Sequence, residues 1–452
     1  MNAWTLAVDG WIIAIGALGA LACAVPGAFL VVRRTSMLAD AVSHAVLPGI
    51  AVAFLLSGTR DPLWMFLGAA AAGLFVTLGS SALARIARID SGAALGIVFT
   101  TMFALGLILI VQVADRVDLD PSCVLYGAIE LAPLDSILLL GVEVPRAVLV
   151  LGGVTLLNAF VAVIFWKELT VMAFDPALAR TLGCRPKLME SIILGMAAAT
   201  CVAAFESVGS ILIVAMMIIP AASARLWSDR LAGVIVGAML IGILGALVGH
   251  WIATAVAPAI IPGGRDASSA GSIAATLGAL LVASIVVAPR RGIVVRLVHR
   301  WLLTLRIARE DAIGLLWRLD EDQRTVAPAQ LRDLLVRGAE IPNWLARMAI
   351  AHLVRDGRLE CVENVARLTT QGRADGASLV RSHRLWEIYL MQRLAIAKDH
   401  VHPTAMVLEH ITDAVMREQL AREGGIAADD HGTRADPHGR AVPEVPRTNG
   451  AN

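Results

Sequence analysis

Up to about Pro289 the chain is a succession of apolar runs, each close to the length that crosses a bilayer as a helix. From Arg290 onward no such run occurs. Crossing hydrocarbon takes about 20 mostly apolar residues. The runs fall at 11–32, 41–58, 63–84, 93–113, 147–166, 188–206, 208–227, 230–257 and 268–289. The stretch 122–142 is also apolar, but Glu130, Pro133 and Asp135 interrupt it; it reads either as an outer-face re-entrant segment or as a tenth span. Composition agrees: 57% of the 452 residues are hydrophobic and 17% charged, where soluble domains average about 45–50% and about 25%. The expected fold is an all-α polytopic membrane bundle of about nine transmembrane helices over 1–289, followed by a small soluble region.

Basic residues near span ends set orientation. Arg33 and Arg34, Arg85 and Arg88, Lys167 with Arg180, Arg185 and Lys187, Arg225 and Arg230, and Arg290, Arg291 and Arg296 fall on alternate loops. The other loops pair sparser cations with acids, as Arg116 does with Asp115, Asp118 and Asp120. This pattern predicts an odd number of spans, with the N-terminus outside and the soluble region in the cytoplasm. The first run is too long for a signal-peptide core and is followed by Arg33-Arg34, so it reads as a retained span. Five scattered cysteines without CxxC read as packing residues. A formal net charge of +1 argues against a strongly basic nucleic-acid binder. No GxxxxGK[ST] loop is present, so ATP hydrolysis must come from elsewhere.

The second run opens with ionisable residues. In RRTSMLADAVSHAVLPGIAVAFLL, Asp40 and His44 stand at i and i+4, on one face of a helix entering the apolar layer. An ionisable group there is costly and is a functional hypothesis by default. Carboxylate with imidazole suits Mn²⁺, Fe²⁺ or Zn²⁺. Pro48 cannot donate to the carbonyl of His44, leaving a further oxygen beside the pair. The residues alone leave open a purely structural pair. In ELTVMAFDPALARTLGCRPK, Asp175 and Pro176 are the cap and first turn of a short helix that Gly183 stops. Glu206 and His250 are further ionisable residues at or near membrane depth, each able to join a metal path or to be structural.

The segment 33–56 resembles the signature of the ABC-3 (zinc/manganese/iron uptake) permease family. DSGAALGIVFTTMFALGLILI (90–110), the segment 168–187 and SVGSILIVAMMIIPAASARL (207–226) are similar to the same family, in its order. The resemblance implies metal passage at Asp40 and His44, and docking of an ATPase on the segment holding Asp175, Pro176, Arg180 and Gly183. It also implies a two-fold assembly of permeases with ATPase subunits and an extracytoplasmic metal-binding protein, in a bacterial inner (plasma) membrane.

After Pro289 the pattern changes. Residues 290–308 interleave basic and apolar residues, as in a helix lying at the membrane face or continuing from the last span. Residues 309–373 read as winged-helix: a helix at about 310–321, one opening at Pro328, a third from about Asn343, then strands RLECV and VARLT as a wing. Thr370 is placed as the cap of a long helix that opens the helical region 374–423. The tail 424–452, rich in Gly, Asp, Arg, Pro and His, is expected to be disordered; His431 and His438 could bind metal weakly, but a solvated tail is the preferred reading.

LTTQGRADGASLVRSHRLWEIYL and DHVHPTAMVLEHITDAV resemble the iron/manganese-dependent repressors of the diphtheria-toxin-repressor type. The resemblance implies one divalent-metal site at His383, Glu387 and His402, and a second at Glu409, His410 and Asp311. Met406 stands where several members have Cys or Glu, and a thioether is a poor Mn²⁺ ligand. Arg347 and Arg355 are the clearest cations on the expected recognition helix, which also lacks small hydroxyl residues at its start. DNA contact depends on Lys and Arg at phosphates, so a metal-sensing regulatory domain is the preferred reading. The chain is thus expected to be an importer permease for a divalent transition metal (Mn, Zn or Fe), not an enzyme; a membrane-tethered metal-dependent transcription regulator is the alternative.

Overall fold

The computed structural model describes residues 8–58, 62–114, 129–139, 141–260, 267–338, 340–423, 436, 438 and 440–443. The chain divides into two compact units, Met1–Val295 and Arg296–Asn452.

The first unit is a helical bundle. Its elements are α1 (Asp9–Val32), α2 (Met37–Ser57), α3 (Pro62–Ala87), α4 (Ser91–Ala114), the strands β1 (Ser136–Leu139) and β2 (Val142–Pro145), and α5 (Arg146–Ile164). There follow α6 (Trp166–Phe174), α7 (Pro176–Thr181), α8 (Pro186–Val208), α9 (Ser210–Trp227), α10 (Leu231–Trp251) and α11 (Ser269–Val287). Among the described residues eight helices are long and apolar enough to cross a membrane. The expected span 41–58 lies in α2, whose apolar part includes Pro48–Ser57. The described part of 122–142 is no span: β1 and β2 pair as an antiparallel hairpin, Ser136 opposite Pro145. Residues 122–128 lie outside the described residues.

Small residues explain how closely the helices pack. A Cβ at Gly27 of α1 would lie 2.0 Å from the Met217 carbonyl oxygen of α9, so only glycine admits that approach. Around α1, Ile15, Phe29, Leu30, Leu151, Ile193, Leu212 and Met216 form the buried core. Leu74, Phe75 and Leu78 of α3, Leu105 and Ile108 of α4, and Leu156, Phe160 and Val163 of α5 are exposed. An apolar exterior is stable only in an apolar medium, as a membrane bundle requires.

The two ends of the bundle are tied by different contacts. At one end Arg33 meets Glu190 at 3.2 Å, and Arg225, Arg290 and Arg291 converge on Asp229 at 3.4, 3.3 and 2.5 Å. At the other, the buried His250 bridges Asp9 (Nε2, 3.2 Å) and Ser269 (Nδ1, 3.1 Å), while Glu130 accepts from the Ser269 N–H at 2.6 Å. The imidazole thereby links the start of α1 to the end of α10 and the start of α11. Glu206 falls in the last turn of α8.

The second unit begins within α12 (Ile293–Glu321), which follows a break at 288–292 and takes in the expected connector from 293 to 308. Then come α13 (Pro328–Gly338), α14 (Asn343–Arg355), and β3 (Leu359–Val362) paired antiparallel with β4 (Val365–Leu368). Three helices are thus followed by a two-stranded hairpin. α15 (Thr370–Leu394) is capped one residue earlier than expected: the Thr369 hydroxyl, not that of Thr370, accepts from the Gly372 N–H at 3.2 Å. α16 (Lys398–Leu408) and α17 (Ala414–Glu423) complete the unit.

The expectation of a disordered tail fails for Asp436, His438 and residues 440–443. Val442 is buried with Leu385, Ile388 and Leu420. Arg384, itself buried, donates to the Ala441 carbonyl and lies 3.5 Å from Asp436, and Arg381 donates to the Pro443 carbonyl at 2.9 Å. His431 lies outside the described residues.

Candidate metal-handling sites

In the first unit α2 packs against α3 and α4. Gly49 meets the Gly68 backbone of α3, and Gly106 of α4 meets the Pro48 ring; a Cβ at 49 or 106 would fall 2.4 or 2.7 Å from its neighbour. This fixes the face of α2 that carries the polar pair. His44 Nε2 lies 3.4 Å from Asp40 Oδ1, with both side chains part-exposed. Phe99 stacks on the His44 ring at 6.0 Å between centroids, and Phe103 meets it edge-on at 5.1 Å. His44 Nδ1 is buried with no hydrogen-bond partner among the described residues, and buried polar atoms are seldom left so. The pair therefore offers a carboxylate and an incompletely satisfied imidazole, walled by aromatic rings.

Asp175 Oδ1 accepts from the N–H groups of Ala177 and Leu178 at 2.9 and 3.0 Å, capping α7 with Pro176 in its first turn. Gly183 adopts a φ of +81°, where a side chain would be strained, and ends the segment. Arg180 lies in the last turn, and Asp175, Pro176, Arg180 and Gly183 are all exposed.

The second unit gathers all six residues expected to hold metal into two clusters. In the first, His383 and Glu387 face inward from adjacent turns of α15, and His402 comes from α16. His383 Nε2, Glu387 Oε1 and His402 Nδ1 lie 2.8–3.0 Å from one another. Ligand atoms held at about 2.0–2.2 Å from one ion stand roughly 3–3.6 Å apart, so these three atoms are close enough together for one ion to reach them all. Burial would raise the Glu387 carboxyl, but hydrogen bonds from His383 and His402 pull it down to about 2.

In the second cluster His410 Nε2 lies 3.2 Å from Asp311 and 4.0 Å from Glu409. Glu310 holds the other ring nitrogen, Nδ1, at 2.8 Å. Burial would lower the His410 imidazole, yet hydrogen bonds to Asp311 and Glu310 raise it to about 9. A carboxylate on the far nitrogen fixes the ring's orientation and strengthens it as a donor. The clusters touch: His383 Nδ1 lies 2.7 Å from Glu409 Oε2. The donor set is nitrogen and oxygen throughout, which fits a first-row divalent ion.

The sequence reading missed Glu310 and Asp436, and preferred a solvated tail for His438. Glu310, next to Asp311 in the chain, joins the second cluster through His410 Nδ1. His438, from the packed tail, brings Nε2 to 3.7 Å from Glu387 Oε1. Asp436 shapes that turn, its carboxylate accepting the His438 and Arg440 N–H groups at 2.9 and 2.8 Å. The signal was Asp-Pro-His-Gly at 436–439, a turn sequence rather than a featureless tail.

Residues 9–264 match the ABC 3 transport family, and residues 369–444 match the iron dependent repressor, metal binding and dimerisation domain. The chain belongs to the ABC 3 transport family, with a repressor-like domain at its C-terminal side. Its relatives include the manganese transport system membrane protein MntD of Bacillus subtilis (strain 168), 37% identical over 68% of this chain and 100% of that one. Another is the zinc transport system membrane protein TroD of Treponema pallidum (strain Nichols), 34% identical over 80% of this chain and 96% of that one. Among solved structures it is similar to PsaBC from Streptococcus pneumoniae in complex with Fab, with a TM-score of 0.52 and 28% identity over 64% of this chain and 94% of that one.

Proposed function

We propose that the chain is the permease of an importer that carries a divalent transition metal ion (manganese, zinc or iron) across a bacterial inner membrane. Asp40 and His44 of α2 hand the ion through the bundle. The observation that carries this reading is the pair itself, an acid and a part-satisfied imidazole on one face of α2 within the matched family region. Two ligands from one helix hold an ion loosely, and loose binding suits passage. The energy comes from a separate ATPase gripping the exposed, capped α7 with Asp175, Pro176, Arg180 and Gly183. An extracytoplasmic metal-binding protein delivers the ion, and a second permease chain completes the assembly.

The C-terminal unit, in this reading cytoplasmic, senses internal metal through His383, Glu387 and His402 and through Asp311, Glu409 and His410. Metal there supplies a divalent charge that replaces protons on the imidazoles. It biases the transporter only if it binds two states differently. The tethered-regulator alternative draws little from α14, whose first turn exposes Trp344 where phosphate-binding groups would be needed.

The test is metal accumulation in cells stripped of their own uptake systems, expressing the chain with its partners. Wild type should accumulate one of manganese, iron or zinc, and His44→Ala should not. Correct insertion with no accumulation of any ion would overturn the permease reading.

A further inference from the structure

The sites above leave one feature of the molecule unused, the first half of α12. On a helix of 3.6 residues per turn, Ile293, Val294, Leu297, Val298, Trp301, Leu302, Leu305 and Ala308 share one face, while Arg296, His299, Arg300 and Arg306 share the other. The two ends of this apolar stripe have different fates. Leu305 and Ala308 are buried against Leu345 and Ala349 of α14. Ile293, Val294, Leu297, Val298, Trp301 and Leu302 are 42–58% exposed, although they continue the same stripe. The domain covers its own part and leaves nearly three turns of large apolar side chains bare.

The position of those turns says what covers them. They begin six residues after Val287, the last residue of the final membrane-length helix. The intervening turn is closed: the Gly292 N–H donates to the Ala288 carbonyl at 2.8 Å, and a Cβ at 292 would lie 2.4 Å from that oxygen. α12 therefore starts as a new helix at the bundle's end instead of extending α11. Between Arg290 and Ile307 the sequence has five arginines and one histidine before Arg306, counting Arg306 itself among the arginines, and no acid. A strongly amphipathic, acid-free basic helix with exposed Trp and Leu is the form that lies in a membrane interface, its apolar face among acyl chains and its cations at anionic headgroups.

We propose that residues 293–303 of α12 bind the anionic lipid surface of the leaflet at which α11 ends. Trp301 and Leu297 anchor the apolar face, and Arg296 and Arg300 contact lipid phosphates. Glu310 and Asp311, at the second metal cluster, lie on the same uninterrupted helix. Lipid attachment and metal occupancy thus act on one continuous helix.

The test is amide exchange on the full chain in nanodiscs of phosphatidylcholine alone or mixed with phosphatidylglycerol. Exchange over 293–303 should be about tenfold slower in the mixed bilayer, and about 0.5 M salt should remove most of the difference. Arg296→Glu with Arg300→Glu should abolish the lipid dependence, whereas Arg324→Glu, exposed elsewhere in the unit, should keep it. Slow exchange in both bilayers, indifferent to salt, would mean that protein such as a second copy covers the face. Fast exchange in both would mean open solvent. Either result overturns the proposal. It needs only that α11 crosses the membrane, so a failed uptake assay would remove the permease reading and leave this exchange difference standing.

Discussion

The polar pair of α2 and the cluster spanning α15 and α16 use the same side-chain types and are built differently. Asp40 and His44 come from one helix, stand 3.4 Å apart, and keep 45% and 24% of their side chains exposed. His383 and Glu387 are 4% and 1% exposed, and His402 from a second helix already meets both at 2.9 and 2.8 Å. Carboxylate and imidazole do not by themselves decide whether an ion passes or stays. What differs is how many elements supply ligands and how fully the structure around them fixes each ring. The α2 pair fits transit, and the second unit fits residence.

Exchanging the readouts separates transit from residence most directly. Asp40→Ala or His44→Ala should lower uptake by more than about 100-fold, because few alternatives exist for an ion at membrane depth, while leaving the number of tightly bound Mn²⁺ ions unchanged. Glu387→Gln should do the reverse, weakening the tight site about 100-fold and leaving the route through the bundle intact. Equilibrium dialysis and uptake on the same preparations decide it. If His44→Ala removed a tightly bound ion, the distinction between transit and residence would collapse.

Proton linkage offers a second test, on the order of 2 kcal/mol. His410 is raised to about 9 from 6.5, so its contribution to the metal-free unit is complete below pH 6.5 and is lost as pH rises through 9. Glu387 is lowered to about 2 from 4.5, so its contribution is complete above pH 4.5 and is lost as pH falls through 2. The metal-free unit should be most stable between pH 4.5 and 6.5. Mn²⁺ should reverse the alkaline decline by taking the proton's place on the imidazoles. Amide exchange over α15 and α16 across pH, with chelator or with Mn²⁺, measures this; a flat metal-free profile from pH 6.5 to 9 would contradict it. Glu310→Gln should have a smaller effect, about tenfold on metal affinity at the second cluster, because it releases the ring without removing a ligand.

What the sequence disclosed follows the range of the interactions. Asp40 with His44, and His383 with Glu387, are one helical turn apart, so spacing alone puts each pair on one face. Asp311 is 99 residues from His410 in the chain, and only the resemblance to the repressors joined them. Glu310 went unnoticed because its role depends on where His410 arrives. His250 likewise meets Asp9 across 241 residues, and no local pattern announces that contact. The tail was misjudged because its composition is polar, yet one buried valine and the turn at Asp436 suffice to seat it on α15.

The smallest predicted effect concerns α7, where the bundle's exposed helix contrasts with the buried clusters. Asp175 accepts two backbone N–H groups, so Asp175→Ala should cost about 1 kcal/mol of local helix stability. Six residues make a helix short enough for that loss to fray it. In the reconstituted complex, metal-stimulated ATP hydrolysis should fall severalfold, and amide exchange over 176–181 should quicken. Asp175→Asn supplies the same cap without the charge and separates two roles for the carboxylate. If Asn restores coupling, the ATPase grips a helix that Asp175 merely holds in shape. If exchange returns to normal while coupling stays low, the charge itself is part of the contact. If coupling is unchanged in Asp175→Ala despite a frayed helix, α7 is not where the motor holds the permease.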